Sequence, residues 1–200
     1  MVSKLEVNQS ALVASDIFGR SQAFESLQQE IIGTTETAIG VSPYKVSHNS
    51  FGTERLAYES FQTSGGIDAY IKKLTVIVQA NNKLKHLIGF SAGAAALYRV
   101  MSLNPRNDIK LTLFYPGQIR YFLEKSPSCP CHIIFPESES NFSLPDVIKV
   151  LKQQPELSEL KAELKVEQNA YHHGFMNKDS KAFNATAYNH YCQMLKVLLT

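Results

Sequence analysis

The chain has 200 residues, 44% of them hydrophobic, which is enough for one globular domain over residues 1–200 with a core beginning near residue 11. The formal net charge is only +2, and Lys and Arg are not clustered, which argues against nucleic acid or an anionic membrane as the partner. No apolar run has the length of a membrane helix or a signal peptide, and three cysteines do not make a disulfide framework, so we expect a cytoplasmic protein.

The predicted elements alternate between strands and helices. Apolar runs predict strands over 11–15, 38–42, 84–90, 108–115 and 131–135, and the segment 164–168 is predicted as a sixth strand. Helical spacing of apolar residues predicts helices over 21–31, 67–78, 92–102, 144–151 and 180–199, whereas the polar segment 43–64 has no clear period. This order predicts an α/β fold, a three-layer sandwich in which a mostly parallel sheet of about six strands carries helices on both faces.

The segment Gly89-Phe90-Ser91-Ala92-Gly93 lies between a predicted strand and a helix of small residues. This is the G-x-S-x-G pattern of a nucleophile elbow, a sharp turn that exposes a serine hydroxyl above the sheet. The two glycines remove side chains where strand and helix approach each other. Ser91 is therefore the candidate nucleophile, although a serine at this place can also be a helix N-cap. The amide of Ala92 can donate to a developing oxyanion.

Other reactive side chains also follow predicted strands. These residues are Asp16, the pair Glu137 and Glu139, and His173. Because the carboxyl ends of parallel strands lie at one edge of the sheet, we expect these side chains to meet Ser91 there.

Three segments carry a resemblance to a known fold. They are Asp16-Ile17-Phe18-Gly19, Gly89-Phe90-Ser91-Ala92-Gly93 and Tyr171-His172-His173-Gly174-Phe175. From about residue 11 to its end the chain resembles a minimal α/β-hydrolase, and within that fold the dienelactone hydrolase family. The order of nucleophile, acid and histidine along the chain is also that of the fold.

The resemblance implies a Ser-Glu-His catalytic triad. Ser91 would be the nucleophile and His173 the base, with His172 as the alternative histidine. Glu139 takes the place of the acid when Pro136 occupies the glycine position of the fold's usual Gly-x-x-Asp segment. Glu137 is the alternative acid, and a solvated pair of loop glutamates is the structural alternative to both. Asp146 is a more distant third.

The resemblance also implies the surroundings of the triad. The backbone amides of Ile17 and Ala92 would form the oxyanion hole, and Phe18 would line the acyl pocket. Asp16 stands where the family's cysteine enzymes have a glutamate that helps to activate the thiol. Because this chain has a serine nucleophile, Asp16 is expected to be structural, and dienelactone is not carried over as the substrate.

The segment Cys129-Pro130-Cys131-His132 has two cysteines and a histidine, the residue types of a zinc site. It lacks a fourth ligand at usable spacing, and neighbours within a strand point to opposite faces, so no metal is expected. No glycine-rich phosphate loop is present, so no nucleotide cofactor is implied.

These observations predict a serine hydrolase that cleaves small carboxylic esters or thioesters through an acyl-serine intermediate. An acyltransferase using the same triad is the enzymatic alternative. A non-catalytic hydrolase-like domain that binds a small ligand or a partner protein is the alternative from another class. Since the chain starts close to the third strand of the complete fold, an open sheet edge is expected, and a homodimer is one way to cover it.

Overall fold

The computed structural model describes residues 9–32, 37–45, 51–153 and 164–199. Six parallel strands form one sheet in the order β2-β1-β3-β4-β5-β6. The strands are β1 (Gln9–Ala14), β2 (Thr37–Val41), β3 (His86–Phe90), β4 (Lys110–Phe114), β5 (Cys131–Phe135) and β6 (Leu164–Gln168). The expected parallel α/β sheet of about six strands is confirmed.

Within the described ranges, six α-helices cover the two faces of this sheet, and a short 3-10 helix (Gly117–Tyr121) follows β4. The α-helices are α1 (Gln22–Ile32), α2 (Glu54–Thr63), α3 (Gly66–Ala80), α4 (Ala92–Leu103), α5 (Leu144–Gln153) and α6 (Ala185–Leu199). Buried side chains of α2 to α5 pack in one core, and those of α1 and α6 pack in a second core on the other face. None of the described helices is long and apolar enough to cross a membrane.

The strand order reverses direction between β1 and β3. From β1 the chain moves outward to the edge strand β2, and it then returns to place β3 on the other side of β1. The loops that follow β1 and β3 therefore diverge to opposite faces and leave a crevice between them. Ala14 pairs with Gly89 in this register, so the ends of the two strands lie side by side below the crevice.

The structure adds a helix that the sequence pattern did not predict. Helix α2 lies within the polar segment 43–64, and only Ala57 and Phe61 of that helix are buried. Two apolar residues one turn apart are too few to produce a recognisable period. Its start is nevertheless defined, because the Thr53 hydroxyl accepts a hydrogen bond from the amide of Leu56.

The last helix begins later than its apolar stripe indicates. Helix α6 starts at Ala185, and the Asn184 side chain caps it by accepting from the amide of Ala187 at 2.9 Å. Residues 180–184 instead form turns, in which the Phe183 amide donates to the carbonyl of Ser180 and the Asn184 amide to that of Phe175. These turns connect α6 to the loop that carries His173.

Candidate active site

Ser91 lies at a strained turn between β3 and α4. Its φ of 48° and ψ of −112° lie in a region that non-glycine residues rarely adopt. The turn is tight because strand and helix nearly touch. A Cβ atom on Gly89 would lie 2.6 Å from the Cα of Ala94, and one on Gly93 would lie 2.4 Å from the carbonyl oxygen of Ser15. Only glycine fits at either position.

His173 and Glu139 complete a continuous chain of hydrogen bonds with this serine. The Ser91 hydroxyl lies 2.9 Å from Nε2 of His173, and Nδ1 of His173 lies 2.7 Å from Oε1 of Glu139. A carboxylate only accepts hydrogen bonds, so Nδ1 carries the donating proton and Nε2 is left to accept from the serine. The Glu139 side chain is only 10% exposed, which shields this pairing from water.

The two alternative residues lie together, away from that chain. The carboxylate of Glu137 is 4.0 Å from Nδ1 of His172, and these side chains are 59% and 74% exposed. The amide of Glu137 donates to the carbonyl of Tyr171, so the backbone directs this segment alongside the histidine loop. The structure thus brings Ser91, His173 and Glu139 together, and leaves Glu137 and His172 as a solvated pair. Asp146 lies in the first turn of α5 and is exposed.

Tyr115 lies directly against His173, which the sequence pattern did not predict. Its ring is buried, 4.9 Å from the imidazole and 5.1 Å from the ring of Phe175, measured between centroids. With a φ of 40°, Tyr115 is also the second described non-glycine residue with a left-handed backbone. The Pro116-Gly117 pair that follows is a turn signal that could have indicated it. The ring restricts the positions open to the imidazole.

Asp16 follows β1 and lines the same crevice. Its Oδ1 accepts from the amide of Phe18 at 2.9 Å, and its Oδ2 accepts from the side-chain amide of Asn177, also at 2.9 Å. Burial raises the pKa of this carboxyl from 3.8 to about 6, against the lowering effect of the two hydrogen bonds and of nearby His173. No sequence signal pointed to Asn177, because it lies 161 residues from its partner.

The two expected oxyanion donors lie at the ends of neighbouring elements. Ile17 is part of a turn closed by the Gly19 amide, which donates to the carbonyl of Asp16, and Ala92 is the first residue of α4. The hydrogen bonds of the described residues include none donated by the amide of Ile17 or of Ala92. Ile17 lines the cleft described below, whereas Ala92 is buried and is not among the residues that line it.

An open cleft of about 1170 Å³ lies above these groups. The residues that line it include Asp16, Ile17, Phe18, Ser91, Tyr115 and His173. Its rim includes Gly52, Thr53 and Glu54, which are exposed, so solvent and small molecules can enter. The sequence-predicted nucleophile, base, oxyanion residue Ile17 and pocket residue Phe18 all face one cavity.

The cysteine-rich segment does not contribute to this site. Cys129 and Cys131 are unpaired and buried in the core, and His132 instead lies 3.1 Å from a carboxylate oxygen of Glu167. Burial raises the pKa of Cys129 to about 12. Within the described residues, no group of three or more His, Cys, Asp or Glu side chains is arranged to hold a metal ion.

Solved structures of hydrolases share this architecture. A protein from Xanthomonas campestris pv. campestris assigned to the α/β hydrolase superfamily superposes with a TM-score of 0.58 at 16% identity, covering 96% of this chain and 97% of that one. A dienelactone hydrolase-like promiscuous phosphotriesterase from metagenomic libraries gives a TM-score of 0.65 at 12% identity, covering 95% and 86%. The chain has the α/β-hydrolase fold. Among its neighbours with this fold are dienelactone hydrolase-like proteins.

Sequence comparison adds a curated relative of this chain. It is 28% identical over 132 residues to the uncharacterized protein YczH of Bacillus subtilis (strain 168). The match covers 66% of this chain and 62% of YczH, so the chain matches less than two thirds of that relative's length. No model of a known protein family matches the chain.

Proposed function

We propose that this α/β-hydrolase chain is a dienelactone hydrolase-like serine hydrolase that cleaves small carboxylic esters or thioesters through an acyl-Ser91 intermediate. The observation that carries the proposal is the hydrogen-bonded series Ser91, His173 and Glu139, with its serine on a strained turn at an open cleft. A free serine hydroxyl is a weak nucleophile, and an imidazole oriented by a buried carboxylate is what activates it.

In the proposed first step, Oγ of Ser91 attacks the carbonyl carbon while its proton passes to Nε2 of His173. A tetrahedral oxyanion forms, which accepts hydrogen bonds from the amides of Ile17 and Ala92. The bond from the carbonyl carbon to the leaving oxygen or sulfur then breaks, and His173 returns the proton to the leaving group. Glu139 holds the imidazole in the required tautomer and stabilises its positive charge.

In the second step water replaces the leaving group. His173 takes one proton from water, the hydroxide attacks the acyl carbon, and Ser91 leaves with the returned proton as the carboxylic acid is released. The exposed rim of the cleft admits water to the acyl group, which supports hydrolysis over transfer to another acceptor. Three unpaired cysteines suit a reducing compartment, so a cytoplasmic location is part of the proposal.

The direct test is intact-mass labelling with a fluorophosphonate, in which Oγ of Ser91 displaces fluoride from phosphorus. We expect one adduct on the wild type and none on folded Ser91→Ala or His173→Ala variants. Ser102→Ala is the matched control, because Ser102 lies in the last turn of α4, the helix that Ser91 precedes, and its hydroxyl donates to the carbonyl of Tyr98. This variant should label like the wild type. An unlabelled but folded wild type would favour a non-catalytic, ligand-binding or partner-binding role.

The substrate class would be determined with a panel of esters. p-Nitrophenyl esters of increasing acyl length, an acyl thioester and a phosphotriester should be compared by kcat/KM. The phosphotriester is included because a structural neighbour is a promiscuous phosphotriesterase. We expect the carboxylic esters of short acids to be the best substrates. Faster turnover of the phosphotriester would contradict that class while leaving the activated serine in place.

A further inference from the structure

Asp16 joins two loops that are distant in sequence, and the proposed triad uses neither of its contacts. One carboxylate oxygen accepts from the amide of Phe18, inside the turn that contains Ile17. The other accepts from the side chain of Asn177, in the loop that contains His173. A single side chain therefore contacts both the segment of an expected oxyanion donor and the segment of the expected base.

Asn177 is fixed in the histidine loop by its own hydrogen bonds. Its amide donates to the carbonyl of Gly174, the residue after His173, and its carbonyl accepts from the amide of Ser180, both at 2.9 Å. Its side-chain oxygen accepts from the amide of Asp179 at 2.9 Å. Because that oxygen is occupied, the side-chain nitrogen must face Asp16, and the orientation of the amide group is determined.

The chemistry of this contact requires an acceptor at position 16. Both of its partners, the Phe18 amide and the Asn177 side chain, are donors. A carboxylate accepts both bonds without rearrangement, whereas a protonated or amide group would present a donor to a donor. The carboxyl is held there although burial opposes its charge, so these two hydrogen bonds act against a desolvation cost.

We propose that Asp16 is a positioning residue, which sets the separation between the oxyanion amide of Ile17 and the imidazole of His173 by joining their two loops. This inference rests on the proposed function and adds a role for Asp16 that does not involve activating the nucleophile. Displacement of either group by about 1 Å is enough to reduce catalysis by about 100-fold, so a small relaxation of the junction is expected to affect activity.

A swap of the two side chains tests this proposal. Asp16→Asn places a donor opposite the donor of Asn177, and Asn177→Asp places a carboxylate opposite a carboxylate. The double variant, Asp16→Asn with Asn177→Asp, restores both bonds. In it the new amide at position 16 accepts from Phe18 through its oxygen and donates through its nitrogen to the new carboxylate at position 177. Asp68→Asn, an exposed residue in the first turn of α3, is the matched control for loss of an aspartate charge.

We expect each single variant to lower the rate of fluorophosphonate labelling by about 10-fold or more, and the double variant to recover to within about threefold of the wild type. Ester hydrolysis should fall mainly in kcat, with little change in KM. The rate of amide hydrogen exchange in residues 171–184 should rise in Asp16→Asn, although the substitution is in the other loop. In the double variant this rate should return to the wild-type value. Asp68→Asn should match the wild type.

The outcomes separate this inference from the function on which it rests. A wild type that is not labelled overturns both. A labelled wild type with an unchanged rate in Asp16→Asn overturns only the positioning role. A double variant no faster than the single variants does the same, because the loss of activity would then not come from the contact between positions 16 and 177.

Discussion

Ser91 and Tyr115 have strained backbones at the ends of neighbouring strands. The amide of Ser91 donates to the carbonyl of Phe114 at 2.9 Å, so the two positive-φ residues are linked through adjacent backbone groups. Such conformations cost about 1 to 3 kcal/mol each and persist only when surrounding contacts determine them. The packing of α4 fixes the backbone of Ser91, and the rings of Phe175 and His173 pack against Tyr115. The strain is concentrated at the candidate site.

At this scale the assignment of the acid can be tested with two matched substitutions. Glu139→Gln removes the carboxylate that orients His173, so we expect kcat/KM and the labelling rate to fall by at least about 100-fold. Glu137→Gln changes a solvated carboxylate and should stay within about twofold of the wild type. Thermal melts of both variants check that they fold. Equal losses in the two variants would contradict the assignment of Glu139.

The sequence could predict Ser91 more readily than the acid. Gly89 and Gly93 have no side chains where the strand and the helix nearly touch, and both glycines can be recognised directly in the sequence. The choice between Glu137 and Glu139 depends on how a short loop runs past the histidine loop, and no local pattern encodes that path. The Tyr115 residue itself gives no such signal, because aromatic residues are also common in ordinary strands, and only the Pro116-Gly117 turn after it could have indicated the strained backbone.

At the scale of elements, the approach of α4 to the sheet is what builds the site. This helix packs so closely over the ends of β1 and β3 that two glycines are in contact with backbone atoms. Helix α4 is correspondingly rich in small, buried residues over its first turns, with Ala92 to Ala96 all buried. The close packing places the helix N-terminus beside the serine, and in the proposed reaction this is where the Ala92 amide would donate to the oxyanion.

Gly93→Ala should push helix α4 away from the end of strand β1. The added methyl would lie 2.4 Å from the carbonyl oxygen of Ser15, a backbone atom that can give way only if the helix or the strand end moves. We expect a loss of about 2 to 3 kcal/mol in the free energy of unfolding, measured by urea denaturation. Gly52→Ala is the control, because a Cβ there meets nothing within 4 Å, and its stability should change by less than about 0.5 kcal/mol. A tolerated Gly93→Ala would show that the helix can shift without cost.

The elements themselves were largely predictable, for a physical reason. Central strands of a covered parallel sheet are largely apolar, so β1 to β5 were visible as apolar runs, with bounds shifted by a few residues at most. The edge strand β6 is different, because it mixes apolar with charged and polar residues and none of them is fully buried. The amphipathic α3 and the small-residue α4 were visible by spacing. Helix α2 buries two apolar residues, and the start of α6 depends on a cap at Asn184, so neither could be read from periodicity.

At the scale of the whole molecule, the partly buried carboxyl of Asp16 links stability to pH. Its pKa is about 6 in the folded chain and ordinarily 3.8, so between these values the folded state binds more protons than the unfolded state. Stability from this group is therefore lost as pH rises through that window, by at most about 3 kcal/mol. Groups whose pKa is lowered by ion pairs, such as Glu30 and Asp108, act in the opposite direction.

The comparison with Asp16→Asn isolates this contribution. Since the other carboxyl groups titrate in both proteins, the difference in unfolding free energy between wild type and variant should move in favour of the variant as pH rises. Urea denaturation at several values between about pH 4.5 and 7.5 measures this difference. A difference that is constant over the range would mean that Asp16 titrates normally.

At this scale it was predictable that the reactive side chains would meet at one edge of the sheet. The contact that joins their loops was not predictable. The rule that parallel strands present their carboxyl ends at one edge brought Asp16, Ser91, Glu139 and His173 together before any distance was known. The contact of Asp16 with Asn177 joins positions 161 residues apart through two loops. Such a contact depends on the lengths and turns of both loops, which single-residue patterns do not determine.

The three buried cysteines can report which layer of helices unfolds locally first. Cys129 and Cys131 are in the core beneath α3 to α5, and Cys192 of α6 is in the core on the other face, each at most 4% exposed. A thiol-specific reagent can reach them only when a layer of helices detaches, so each face of the sheet carries its own probe of local unfolding.

We expect Cys192 to react first under native conditions, because its face is covered by only α1 and α6 among the described helices. Peptide mapping after timed thiol alkylation would measure the order, and equal rates for all three would instead mean that both faces open as one unit.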